Sequence, residues 1–314
     1  RFINICMATD LVGRPIAIAK AFSPGHITGF FEVLHDTPCL SSMHKGSKGA
    51  GFSIDKGIAT TVRVYENSKP EFEMWINGAK SPDAEVSKWV AEDYLRLAGR
   101  PYFISIHHET EIPIGFGIGS SGAAALSLSY ALNKALDIGF NRTQAAQIAH
   151  HAEIACNTGL GTVIAEFVGG FEMRMSAGAP GIGSVTRIDL NKDYKAIILC
   201  IAPVFTKSFL TNRINEINGL GDAMLTKLSS SRNIDEFLKM SHKFAKSLGI
   251  TEGRCKRPIA ALKKRGIDSS VALFGQTVFT VVSGDMIDEA SSILREFGGR
   301  LIVSNIDSIG ARPL

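Results

Sequence analysis

The stretch Pro113-Ile114-Gly115-Phe116-Gly117-Ile118-Gly119-Ser120-Ser121-Gly122-Ala123-Ala124-Ala125 decides the fold. It follows a β-rich run at 102–107 and precedes an alanine-rich run at 121–136 with helical spacing. A glycine-rich turn between a strand and a helix lets successive backbone N–H groups converge on one point at the helix N-terminus. Free amides and the positive end of the helix dipole both favour a phosphate there. Glycine permits the close approach and the positive φ angles such a turn needs. Ser120 and Ser121 add hydroxyls that serve either as a helix cap or as ligands of a metal or phosphate.

Two familiar phosphate loops fit poorly. A Walker loop requires Gly-Lys-Ser/Thr, and no lysine stands between Lys88 and Lys134. The dinucleotide pattern GxGxxG is present as Gly117, Gly119 and Gly122, but it calls for an acidic residue closing a parallel strand about 20 positions on. Asp137 stands at that distance, at a helix end, with another helical run after it.

Outward from the loop, the first half reads as strands at 16–22, 29–33, 57–65, 71–76 and 102–107, with a helix at 84–97 flanked by Pro82 and Gly99. Two helices follow the loop, 121–136 and 143–156, the second capped by Asn141 or Thr143. A second glycine cluster, Thr158 to Gly161, ends that helix, and Gly169 and Gly170 lead into a strand at 171–176. The glycines at 178, 181 and 183 read as a domain-connecting turn. Beyond it, strands at 195–202, 271–282 and 300–304 and helices at 205–228, 234–248, 258–264 and 286–297 describe a smaller α+β unit. The expected division is 1–178 and 179–314, an α+β chain of two domains.

Composition sets the class. Of 314 residues 45% are hydrophobic and 20% charged, as in a folded soluble protein, and no apolar run reaches the ~18 residues of a membrane span. The N-terminus lacks a signal peptide's continuous apolar region, so the cytoplasm is expected; Arg1 is not a translated start, which makes Met7 a candidate initiator. Five scattered cysteines without a CxxC pair speak against a disulfide framework and a zinc site. The pairs His107-His108 and His150-His151 lack the i, i+4 spacing of a helical metal site and read as structural. A net charge of +4, with its densest basic stretch at 254–265, suits a solvated helix face and an anionic small ligand better than nucleic acid.

The segment Pro113-x-x-x-Gly117-Ile118-Gly119-Ser120-Ser121-Gly122-Ala123 resembles the second motif of the GHMP kinases, PxxxGLGSSAA, with Ile118 for leucine and Gly122 for alanine. The first motif is recognisable at Ala21-Phe22-Ser23-Pro24-Gly25-His26-Ile27-Thr28-Gly29, with His26 where lysine or arginine is common. A weaker third motif lies at 269–279, so the resemblance spans nearly the whole chain. Ser23-Pro24-Gly25-His26-Ile27-Thr28-Gly29-Phe30-Phe31 and Ala152-Glu153-Ile154-Ala155-Cys156-Asn157-Thr158-Gly159-Leu160-Gly161 are most similar to the archaeal branch that phosphorylates pantoate. Alternatives are a mevalonate- or homoserine-type kinase, a phosphoribosyl-transferring synthase of the same fold, or a nucleotide-binding regulator without catalysis.

The resemblance implies an N-terminal domain carrying the phosphate loop, a ferredoxin-like C-terminal domain, ATP and Mg2+ as cofactors, and pantoate as the small-molecule partner. A homodimer is compatible with it. It implies ATP contacts from Pro113, Gly115, Gly117, Ile118, Gly119, Ser120, Ser121, Gly122 and Ala123, and magnesium held by Ser120 and Glu153. His26, as a cation or hydrogen-bond donor, and Lys20, as a second cation, are the catalytic candidates. Related kinases often carry aspartate where Thr162 stands, and threonine accepts no proton at neutral pH; Glu166, one helical turn on, is the substitute base, unless positioning alone suffices. The substrate candidates are His26, Thr28, Gly161, Thr162, Arg174, Gln276 and Thr277, with Arg174, Arg63 or Arg312 facing the acceptor's carboxylate.

Overall fold

The computed structural model describes residues 13–33, 41–190, 193–204 and 219–314. The initiator reading at Met7 and the helix reading over 205–218 lie outside them. Two sheets carry the chain. The larger contains β1 (Ala17–Val33), β2 (Ser47–Glu66), β3 (Glu71–Ile76), β4 (Ala79–Lys80), β5 (Tyr102–Thr110), β6 (Phe171–Arg174), β7 (Val185–Ile188) and β12 (Arg312–Pro313), with the path β12-β1-β2-β5-β3-β4 and β6 and β7 branching from β2. The smaller is antiparallel, ordered β11 (Arg300–Asn305), β8 (Tyr194–Pro203), β10 (Gly275–Ser283), β9 (Ser270–Val271). Helices between β8 and β9 and between β10 and β11 complete the βαββαβ order of a ferredoxin-like unit.

The sequence suggests two strands where the structure has one. β1 runs unbroken through Ser23-Pro24-Gly25-His26, pairing with β2 from Ala17↔Val64 to Val33↔Ser47. Proline donates no ladder hydrogen bond, and the register shifts between Pro24 and Gly25, so a β-bulge accommodates it. β12 covers the outer edge of β1 only at Ala21 and Phe22. Further along, that edge takes the glycine loop: the His26 N–H donates to the Ile118 carbonyl at 3.1 Å.

On one face of the larger sheet pack α1 (Glu85–Leu97), α2 (Ser120–Ala135) and α3 (Arg142–Cys156). Their small and branched residues, among them Val90, Ala131, Ala145 and Ala149, meet Val62, Val64, Ile104 and Ile106. α3 begins with a capping box, Asn141 accepting from the Gln144 N–H while the Gln144 side chain accepts from the Asn141 N–H. It ends at Asn157 in the left-handed region, φ 53°. A short helix the sequence did not signal, α4 (Thr162–Val168), follows the second glycine cluster.

The smaller unit adds α5 (Leu220–Ser231), α6 (Ile234–Ser247), α7 (Lys256–Lys264) and α8 (Met286–Arg295). A shared core joins it to the larger sheet. Phe52 stacks on Phe171 with centroids 6.2 Å apart, and Phe237 of α6 meets Phe171 edge-on at 4.7 Å. Burying each such ring stabilises the fold by roughly 1.5–3 kcal/mol. Residues 178–183 form the hairpin turn between β6 and β7, so the larger sheet continues to Ile188 before the chain crosses over. Among the described residues no helix is long and apolar enough to cross a membrane.

Candidate active site

The glycine loop is pinned by its carbonyls, which leaves its amides free. The Gly115 carbonyl accepts from the Val204 N–H at 2.8 Å, Phe116 from the Thr277 hydroxyl at 2.8 Å, Ile118 from the His26 N–H, and Gly119 from the Ala123 N–H. No N–H from residues 114–122 donates to an acceptor among the described residues. Gly119 is the left-handed N-cap of α2, φ 70°, and no side chain caps the helix. The orphan donors of the first turn therefore have no acceptor among the described residues, and those of Gly119, Ser120 and Ser121 remain for a ligand. Gly117 has φ 72°, and a Cβ there would run into the Leu273 carbonyl oxygen.

These amides face a cleft of about 350 Å³. Gly115, Gly117, Ile118, Gly119, Ser120 and Ser121 of the loop line it together with 157–162, Thr28, His26, Ser47 and Arg174, and Leu273 and Phe274 line it from the smaller unit. The loop residues Pro113, Gly122 and Ala123 do not line it.

Next to the loop lies a buried network of which the sequence signals only a part. His26 Nε2 is 2.9 Å from Glu172 Oε1, and Arg174 Nη1 donates to the same oxygen at 2.6 Å. His26, Glu172 and Arg174 are 2%, 0% and 1% exposed. Arg174 Nε has no hydrogen-bond partner and lies against Gly161 in the cleft wall. Burial pulls the His26 imidazole below its usual pKa, the Glu172 hydrogen bond and charge oppose this, and Arg174 adds to it. His26 is thus neutral near pH 7 rather than the cation the motif suggested, and the lasting positive charge is that of Arg174. Glu172 went unnoticed because Phe-Glu-Met-Arg reads as an alternating strand with its charged face in water. All four residues are buried, because β6 lies under the second glycine cluster.

Other sequence candidates fall outside the cleft. Lys20 is on the outer surface, its Nζ 3.1 Å from Glu109. Thr277 latches the loop through Phe116, and neither it nor Gln276 beside it lines the cleft. Arg312 pairs with Asp307 at 2.9 Å, and Arg63 lies on β2 away from the cleft.

Glu166 is fully buried one layer behind the loop, packed against Gly119, Gly122 and Thr162, with neither carboxyl oxygen hydrogen-bonded. It cannot reach a substrate from there, so the substitute-base reading fails on position. Burial, then the neighbouring Glu153, push its pKa well above the carboxylate range. Such a group contributes its full stability below its unfolded pKa near 4.5 and loses it as pH rises through the folded value. Glu166→Gln is expected to keep turnover within a few-fold of wild type and to flatten the fall in Tm between pH 5 and pH 8. Thermal scans at the two pH values, alongside a rate assay, check both.

Glu153 sits on the last turn of α3 directly behind the cleft wall. Thr158 Oγ1 donates to its Oε1 at 2.6 Å, while Oε2 is buried without a partner. Burial raises its pKa, partly offset by the Thr158 and Ser121 hydroxyls. One orphaned carboxylate oxygen behind Gly159 of the cleft wall, with the Ser121 hydroxyl acting on the same carboxyl and the Ser120 hydroxyl in the cleft lining, offers hard-oxygen donors of the kind magnesium takes, one or two from the protein and the rest from phosphates and water. Among the described residues no cluster of three or more His, Cys, Asp or Glu forms a dedicated metal cage.

Residues 85–170, which hold the loop, Glu153 and Glu166, match the model of the GHMP kinases N terminal domain. A pantoate kinase of Methanocaldococcus jannaschii is 33% identical, over 87% of this chain and 96% of that protein. A pantoate kinase of Thermococcus kodakarensis is 29% identical, over 89% of this chain and 92% of that one. A solved structure described as a phosphotransferase related to the CoA biosynthesis pathway superposes with a TM-score of 0.85 at 25% identity, covering 95% of this chain and 98% of that one. Likeness on this scale extends from the loop to both sheets, and on it the chain belongs to the GHMP kinase family.

Proposed function

We propose that this chain transfers the γ-phosphoryl group of ATP to the hydroxyl of pantoate, giving 4-phosphopantoate for coenzyme A biosynthesis. The observation that carries this reading is the pairing, across one cleft, of a wall of free amides with a buried guanidinium that has an unused N–H. The amides suit a polyphosphate; the guanidinium suits the carboxylate of a small hydroxy acid. The relatives' activity agrees with both ends of that cleft.

Phosphoryl transfer asks the protein for alignment and charge stabilisation. The loop amides and the α2 N-terminus hold the phosphates, the Ser120 hydroxyl and Glu153 Oε2 would hold magnesium, and Arg174 sets the acceptor's orientation. Bound there, magnesium would neutralise charge on the phosphate oxygens. Mevalonate and homoserine also present a carboxylate and a hydroxyl, so an acceptor panel decides among them. With ATP and magnesium, ADP release is expected with pantoate and at background level with the other two; turnover confined to mevalonate or homoserine would reject the assignment.

A further inference from the structure

Among the described residues, only two titratable side chains line the cleft, His26 and Arg174. Thr162 stands where a carboxylate base was sought, Glu166 is behind the loop, and Lys20 is on the outer surface. An arginine does not give up its proton in a protein. Among the described residues of the cleft, His26 is the remaining proton acceptor.

The hydrogen bonds around His26 fix which of its nitrogens is available. Glu172 Oε1 is a carboxylate oxygen already receiving Arg174 Nη1–H, so at 2.9 Å it accepts from His26 Nε2, and the proton of a neutral imidazole resides on Nε2. Nδ1 is left with its lone pair. Among the described residues its hydrogen-bonding neighbour is the Thr28 hydroxyl in the cleft lining, at 3.4 Å too long for a strong bond. Among the described residues Glu172 and Arg174 are the charged groups acting on the ring, which also lies against Gly51, while the glycine loop meets His26 at its backbone N–H.

We propose that His26 Nδ1 is the general base of this kinase and that Glu172 is the positioning residue that sets its tautomer and stabilises the imidazolium. This rests on the phosphoryl-transfer reading above. The acceptor hydroxyl oxygen forms a bond to the γ-phosphorus, the bond from that phosphorus to the β–γ bridging oxygen breaks, and its electron pair leaves with ADP. The hydroxyl proton passes to Nδ1. The resulting imidazolium is held between Nε2–H and the Glu172 carboxylate, and the proton returns to solvent once product departs. The arrangement places a carboxylate behind a histidine in the same sense as a serine hydrolase does, on an unrelated fold.

Burial already keeps His26 neutral near pH 7, so the rate is flat there and falls only as pH drops below the ordinary imidazole range. Removing the Glu172 charge while keeping its size takes away what holds the proton on His26 and leaves Arg174 unopposed, so the acid limb moves to lower pH. The test is the pH profile of kcat with saturating ATP, magnesium and pantoate for wild type, His26→Gln and Glu172→Gln. General base catalysis contributes about 10²- to 10⁴-fold. His26→Gln should lose at least about 100-fold in kcat, keep its KM for ATP, and show no acid limb. Glu172→Gln should show the displaced limb with a smaller loss. A purely structural role for the pair would lower activity without moving the limb, and that result overturns the proposal. Should His26→Gln fail to fold, wild type and Glu172→Gln still decide: a wild-type profile without a single-proton acid limb, or an unmoved limb in Glu172→Gln, contradicts it. Wild type that releases no ADP with pantoate sinks the kinase assignment itself, a result distinct from a working enzyme whose profile ignores Glu172.

Discussion

Gly117→Ala abolishes most ATP-dependent turnover while leaving a folded protein. At φ 72° an alanine pays about 1–2 kcal/mol of left-handed strain, and its methyl meets the Leu273 carbonyl oxygen, a backbone atom that has no rotamer to escape to. The loop is tied on both sides of this position, by Thr277 to Phe116 and by His26 to Ile118, so relief comes from shifting the phosphate-facing amides. A misplacement near 1 Å costs on the order of 100-fold in rate. The expected fall in kcat/KM for ATP is therefore at least about 100-fold, read by steady-state kinetics with circular dichroism as the folding control. Gly139→Ala is the matched comparison: φ is 82°, nothing lies within 4 Å, and the cleft is elsewhere, so only the strain should register.

Arg174→Met is expected to do two separable things. It removes the cation that compensates a fully buried Glu172, and breaking a buried pair from one side costs about 3–5 kcal/mol. With Tm moving about 2–4 °C per kcal/mol in chains of 150–250 residues, a fall on the order of 10 °C follows. It also removes the proposed partner of the acceptor's carboxylate, and a hydrogen bond to a charged group is worth about 1.5–3 kcal/mol, so KM for pantoate should rise about 10- to 100-fold with KM for ATP unchanged. The double variant Arg174→Met/Glu172→Gln separates the effects. Removing both charges should restore much of the Tm without restoring pantoate affinity. Calorimetry and acceptor titrations read the two; recovery of affinity together with stability would mean that Arg174 only holds the fold.

Much of this was visible in the chain itself. The loop announces itself because glycine at alternate positions before an alanine-rich helix has few other uses. Asn141 and Gln144 mark the start of α3, and the smaller unit's strands and helices follow from ordinary periodicity. What the sequence hid was hidden by burial on both faces. β1 is covered by α2 on one side and by α5 and α6 on the other, so Ile27, Phe30 and Phe31 sit beside buried Ser23 and His26 and no alternation survives. Pro24 then looks like a break when a bulge absorbs it. The same effect concealed Glu172, a charged residue two positions from an arginine on a strand whose exposed face does not exist. Gln276 and Thr277 read as substrate contacts from the smaller unit, yet neither lines the cleft and Thr277 ties the loop instead; sequence position does not distinguish a residue that touches a ligand from one that buttresses the loop. Thr162 is the useful anomaly: a cleft-lining residue unable to take a proton directs attention to the histidine that lines the same cleft.

The most direct measurement is amide hydrogen exchange, residue by residue, across 114–122 with and without a nonhydrolysable ATP analogue and magnesium. The amides from Gly117 to Ser121, without an acceptor among the described residues, are expected to slow markedly when the analogue binds, while the Gly139 amide, on an exposed residue away from the cleft, does not change. Saturating nucleotide with no added protection across that turn would contradict it, because the triphosphate would then be lying somewhere else.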